Sequence, residues 1–140
     1  MPPPDPADTL RLAHPQSVNS VARILIVNDD ESDRIFLGTI LERAGHEAFF
    51  ATDGEEALGE YGGHAIEVVI TDLQMPRVHG LELITVFRDL SPRPAIIAIS
   101  GTGSDQLDMA QAVGADATLT KPIDRIELLG AVAMAVAGRD

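Results

Sequence analysis

The chain contains no cysteine in its 140 residues. That excludes disulfide frameworks, thiol nucleophiles and thiolate metal sites. Positive charge is also scarce: ten Lys and Arg stand against 22 Asp and Glu, for a formal net charge of −12. Such a balance argues against nucleic acid or an anionic membrane as the main partner and favours cations and basic protein surfaces. No apolar run approaches the ~20 residues that span a bilayer; the longest lies between Leu128 and Gly138. The opening Met1-Pro2-Pro3-Pro4-Asp5-Pro6 has neither the basic nor the apolar region of a secretory signal. These absences predict a soluble, cytoplasmic protein. With 45% apolar and 23% charged residues, the chain has the balance of one globular domain.

Residues 1–21 are proline-rich and show no sustained periodicity, so they are expected to be a flexible leader before a folded domain over 22–140. Ile24 to Val27 is an apolar, β-branched run that ends in Asn28-Asp29-Asp30-Glu31, a first buried strand with acids at its exit. Ser32 or Asp30 can cap the helix that follows, whose apolar positions Ile35, Phe36, Ile40 and Leu41 keep helical spacing as far as Gly45. Glu47 to Ala51 is a second strand. A short helix follows Asp53 and is expected to stop at Gly62-Gly63. Val68 to Thr71 is a third strand, and Leu81 to Leu90 a helix presenting Leu81, Ile84 and Phe87, or Leu83 and Val86. Ala95 to Ile99 is a fourth, uniformly apolar strand. A helix over Gln106 to Val113, a fifth strand over Ala117 to Leu119 and a last helix capped by Asp124 and running to about Ala137 complete the pattern. Strict alternation of strand and helix predicts an α/β fold, a parallel sheet with helices on both faces.

Everything is organised around the stretch from Val68 to Gly80, where a strand ends in Asp72 and a loop punctuated by Pro76 leads into a helix. A lone aspartate in such a place is ordinarily a cap or turn residue. A parallel sheet, however, collects the C-terminal ends of its strands on one edge, where open α/β sheets place their chemistry. That edge gathers Asn28 and Asp29, Asp72, Ser100 and Lys121, each singly explicable as a turn or surface residue. Together they offer oxygen ligands for a hard cation, a carboxylate nucleophile, a hydroxyl and an ammonium.

Ile24 to Asp30, Asp72-Leu73-Gln74-Met75-Pro76 through Gly80, Ser100-Gly101, and Gly114-Ala115-Asp116 through Lys121-Pro122 resemble the response-regulator receiver domain of two-component signalling. The resemblance spans about residues 22 to 138. It implies a flavodoxin-like (βα)5 three-layer sandwich with strand order 2-1-3-4-5, and a phosphoacceptor switch rather than a turnover enzyme. Asp72 would take a phosphoryl group from a histidine kinase or histidine phosphotransfer protein. Mg²⁺ (or Mn²⁺) would be bound by Asp29, Asp72 and the backbone carbonyl of Gln74, with Asn28 acting through water. Ser100 and Lys121 would contact the phosphoryl group, and Lys121–Pro122 would carry a cis peptide bond, which X-Pro sterics make inexpensive.

Three positions depart from the family pattern. Asn28 stands where a carboxylate is common, which removes one charge from the cation site. Thr118 stands where an aromatic switch residue is often found, and Gly101 replaces a common alanine. His14, His46, His64 and His79 are scattered without ligand spacing and are not expected to form a metal site, although His79 lies on the loop after Asp72. Met75 reads as loop packing, and Met109 and Met134 as helix-core residues. The last helix is apolar nearly all round. It is either pressed against the sheet with small residues outside, or it exposes a face for a homodimer or a downstream protein target. The family's usual output surface, made by the fourth helix, fifth strand and fifth helix, favours the latter by resemblance. No segment suited to nucleic acid or membrane appears. The chain is expected to be a single-domain regulator or an excised receiver. Two other readings stay open. One is a receiver-like interaction module that does not use phosphate. The other is an aspartyl-phosphate hydrolase of the haloacid dehalogenase type, for which the Asp-x-Asp pair is missing.

Overall fold

The computed structural model describes residues 21–74, 80–101 and 104–138. Their elements alternate as β1 (Arg23–Val27), α1 (Glu31–Arg43), β2 (Glu47–Ala51), α2 (Gly54–Gly63), β3 (Val68–Asp72), α3 (Gly80–Arg88), β4 (Ala95–Ser100), α4 (Ser104–Val113), β5 (Ala117–Thr120) and α5 (Arg125–Ala137). The strands form one sheet in the order β2-β1-β3-β4-β5, with every neighbouring pair parallel. This is the flavodoxin-like arrangement expected. Leader residues 1–20, with His14, lie outside the described residues, as do Met75 and His79.

Side chains alternate across the sheet, so each central strand feeds two cores. Leu25, Val27, Val69, Ile96 and Ala98 pack with Leu83, Ile84 and Phe87 of α3 and with Ala57 and Ala110 of α2 and α4. Ile24, Ile26, Val68, Ile70, Ile97 and Ile99 face the other way, onto Leu37 and Leu41 of α1 and Leu128 and Val132 of α5. Burial on both faces explains why β1, β3 and β4 read as unbroken apolar runs.

Helix ends follow the capping chemistry of the sequence. Asp30, Asp53 and Asp124 each accept the backbone N–H three residues on and start α1, α2 and α5. Gly45 takes a left-handed φ of 96° after α1, a conformation that costs glycine nothing. Gly62 and Gly63 close α2 as expected, Gly63 being its last residue. Gly38, in mid-helix, is where the ring of Phe50 crosses α1: a Cβ there would stand 2.7 Å from Cζ.

Five apolar assignments are corrected. Ile35 and Phe36 are exposed, and the inward stripe of α1 is Leu37, Gly38 and Leu41. Val86 is also exposed, leaving Leu83, Ile84 and Phe87 as the buried side of α3. Met109 and Met134 are not core residues, with 54% and 78% of their surface exposed. At about 100° per residue, Met134 sits on nearly the opposite side of α5 from buried Val132. In α4 the inward position falls to Ala110, one residue past Met109. The last helix therefore buries one stripe and leaves Ile126 and Met134 outside. Among the described residues, no helix is long and apolar enough to cross a membrane.

At the opposite end of β1 from Asn28, His46 Nδ1 accepts the Ala22 N–H at 3.1 Å. Burial pushes the imidazole below its ordinary pKa, and the Glu67 carboxylate offsets this only in part. Because the folded chain prefers the neutral ring, stability is unaffected well above the ordinary value and falls as the unfolded chain takes up a proton first. Between about pH 7 and pH 5, spanning the ordinary imidazole pKa, the native chain should lose unfolding free energy relative to His46→Gln, as read by urea melts at each pH. The two cores make a second expectation. Phe87→Ala should cost about 3–5 kcal/mol, whereas Met134→Ala should stay within about 0.5 kcal/mol in the same melts.

Candidate functional site

Four neighbouring strands end at the same level because their register is fixed. Val27 pairs with Thr71, Asp72 with Ile99, and Ser100 with Thr120. Backbone bonds extend the ladder past the strand ends, with Lys121 N–H donating to the Ser100 carbonyl at 2.9 Å and Leu73 N–H to Ile99 at 2.9 Å. The exits thereby bring Asn28, Asp72, Ser100 and Lys121 to one edge.

Asp72 is the centre. Only 3% of its surface is exposed, and burying a carboxylate is costly unless it is paired and hydrogen-bonded. Three donors meet that requirement. Lys121 Nζ lies 2.7 Å from Asp72 Oδ2, Asn28 Nδ2 3.3 Å from the same oxygen, and the Gln74 N–H donates to Oδ1 at 2.8 Å. Burial alone, the largest effect, would pull the Lys121 ammonium down. The hydrogen bonds and charges of Asp72 and then Asp33 together outweigh it and hold the group above its ordinary pKa.

Asn28 is buried and held from three sides. Its Oδ1 accepts the Asp30 N–H at 2.8 Å, and its backbone carbonyl accepts a 2.6 Å bond from the Arg34 guanidinium. Its backbone N–H donates to Ala51 on the neighbouring strand at 3.0 Å. Asp29, next in the chain, is exposed on the rim. Ser100 closes β4 fully buried, and Thr118 is half-buried in β5, paired with Ala98. The Lys121–Pro122 peptide bond is cis, as is Ser91–Pro92, which nothing in the sequence singled out.

Two residues that sequence reasoning missed join this edge. Asp33 Oδ2 lies 3.3 Å from Lys121 Nζ and 3.5 Å from Asn28 Nδ2. Arg34 is the clamp on the Asn28 carbonyl. Asp33 looked like an ordinary first-turn acid of a capped helix. Lys121, its partner, is the sole lysine of the chain, but nothing in the sequence ties it to Asp33. His46 and His64 are far apart in role. His64 pairs with Glu60 at 3.2 Å and stacks on Phe49 at 4.0 Å.

A pocket of about 190 Å³ opens beside these residues, lined by Asn28, Asp33, Phe36, Lys121, Pro122 and Ile123 among others. A larger one, about 620 Å³, lies away from this edge between the start of β5 and the end of α5 and includes none of the constellation. Among the described residues no group of three or more acids or histidines is placed to hold a metal. Asp29 and Asp72 are nonetheless a suitable donor set for Mg²⁺, which is commonly held by one or two carboxylates together with water and phosphate oxygens.

A family model for the response regulator receiver domain matches residues 24–133. The chain is 36% identical over 115 residues to the CAI-1 autoinducer sensor kinase/phosphatase CqsS of Vibrio cholerae, covering 79% of this chain but 17% of that protein. It is 28% identical to protein PilG of Pseudomonas aeruginosa, covering 79% of this chain and 84% of PilG. Among solved structures, a receiver domain protein from Clostridium thermocellum superposes with a TM-score of 0.80 at 29% identity, over 85% of this chain and 97% of that one. The chemotaxis protein CheY4 of Vibrio cholerae gives 0.76 at 30%, over 82% and 98%.

A Cβ built on Gly101 meets Lys121 Cδ at 3.4 Å and Gln74 Oε1 at 3.7 Å, ordinary contact distances. Gly101→Ala should therefore fit and raise unfolding free energy by about 0.4–1 kcal/mol through the unfolded state. A thermal melt of the variant checks this.

Proposed function

Because the chain belongs to the response regulator receiver family, we propose that it is a signalling switch whose Asp72 accepts a phosphoryl group from a phosphohistidine on a histidine kinase or phosphotransfer protein. The observation that carries this reading is the buried Asp72 carboxylate with the Lys121 ammonium 2.7 Å away. In the transfer a carboxylate oxygen of Asp72 attacks phosphorus. The O–P bond forms as the N–P bond breaks, and the departing electron pair stays on the imidazole nitrogen, which takes a proton from solvent. Such a reaction asks the protein for alignment and charge neutralisation rather than covalent chemistry. Lys121 contributes one positive charge, aimed at the position the phosphoryl oxygens take up. Ser100 donates its hydroxyl to one of those oxygens, and the Gln74 N–H keeps the carboxylate oriented.

Asp29, Asp72 and the Gln74 carbonyl hold Mg²⁺ (or Mn²⁺), with Asn28 acting through water. When bound, the ion supplies further positive charge against the phosphoryl oxygens. Once phosphorylated, Asp72 carries added negative charge that draws Ser100 and the strand behind it inward. Thr118 occupies the place of the family's aromatic switch without a ring to swing. The functional unit runs over 22–140. On the resemblance alone, it works in the cytoplasm, and it signals to a downstream protein through the α4-β5-α5 face, with a homodimer as the other occupant of that face. The reading as a module that makes no use of phosphate draws its support from Asn28, which brings a neutral amide 3.3 Å from Asp72 where the family pattern has a carboxylate for the cation.

Acetyl phosphate with Mg²⁺, followed by intact mass, separates the two. One phosphoryl adduct that needs the metal and disappears in Asp72→Asn is the expected result. No adduct in excess Mg²⁺, or an adduct retained in Asp72→Asn, overturns the proposal.

A further inference from the structure

Four side chains close a ring at the acceptor site. Asn28 Nδ2 donates to Asp72 Oδ2 at 3.3 Å, Lys121 Nζ donates to that oxygen at 2.7 Å and to Asp33 Oδ2 at 3.3 Å, and Asn28 Nδ2 reaches Asp33 Oδ2 at 3.5 Å. Donors and acceptors alternate around it: an amide and an ammonium lie between two carboxylates. An aspartate at position 28 could not take this place, since it would add a third negative charge where the ring needs a donor. The asparagine and Asp33 are thus complementary. The carboxylate missing from the exit of β1 is present one helical turn further on, in α1.

The two carboxylates hold Lys121 unequally. Asp72 is the nearer, and its side chain is 3% exposed, against 38% for Asp33. If Lys121 leaves Asp33, water can solvate the freed carboxylate. If it leaves Asp72, a buried charge loses its counter-ion. The contact with Asp33 is therefore the one that yields when a dianionic phosphoryl group arrives.

We propose that Asp33 is a positioning residue of the acceptor site, which holds Lys121 and Asn28 in place in the resting chain and competes with the incoming phosphoryl group for Lys121. This rests on the acceptor reading of Asp72. It makes Asp33 a brake: its charge restrains Lys121 and repels an anionic phosphodonor.

The sole lysine allows a direct test, because protein labelled with ¹⁵N-lysine gives one side-chain ammonium signal. In Asp33→Asn, solvent exchange of that ammonium at slightly acid pH should quicken by roughly two- to fivefold, the range of a part-exposed charge pair. Phosphoryl uptake from acetyl phosphate at saturating Mg²⁺ should rise by a similar factor. Asp33→Glu, which keeps the charge, should return both rates towards those of the native chain, and thermal melts should show all three chains folded. A merely structural Asp33 would alter the melt and leave the ammonium exchange alone. Unchanged exchange in Asp33→Asn, or uptake that is unchanged or slower, overturns the proposal. Failure of the native chain to form an adduct overturns the acceptor reading and the braking role with it, while the exchange rates still decide whether Asp33 holds Lys121.

Discussion

The ion pair between Lys121 and Asp72 is the constraint from which the rest of the edge follows. A carboxylate sealed at the end of β3 would be driven to take up a proton or open the sheet if nothing neutralised it. The ammonium that does so comes from the far side of β4, held in place because the Lys121 N–H continues the ladder onto Ser100. The order β2-β1-β3-β4-β5 is thus what assembles the site. It puts the strand that ends in Asp72 in the middle, with Asn28 arriving from one neighbour and Ser100 and Lys121 from the other side.

Much of this was legible in the sequence. Apolar β-branched runs located β1, β3 and β4, the first two with acids at their exits, and aspartates before helical spacing located three of the caps. The resemblance then supplied the strand order. The misreadings share a physical origin. Ile35, Phe36, Met109 and Met134 are apolar but fall on the wrong side of their helices, and hydrophobicity without a fixed rotation does not say which side faces the sheet. Asp33 was missed for the opposite reason. A first-turn acid already has a sufficient local explanation, so its tertiary contact leaves no separate trace in the sequence.

The departures at Asn28 and Thr118 take on a different meaning once the geometry is known. Asn28, where the family pattern has a carboxylate, provides a donor that two acids can share. Thr118 puts a small side chain where the family pattern often has an aromatic ring. Asp33 belongs to α1, so its contacts tie the Asp72 edge to the helix on the opposite side of β1 from α2, beside exposed Ile35 and Phe36.

That Lys121 is the sole lysine has a practical side too. Its other basic side chains are arginines and histidines, which amine-directed reagents do not label stably. Apart from the α-amino group, a fluorophore ester or an amine-coupling sensor surface can attach to this protein only at the ammonium that neutralises Asp72. Immobilised by amine coupling, the protein would be tethered through the ion pair at the centre of its strand-end edge, and a silent surface would report the chemistry of attachment rather than the absence of a partner.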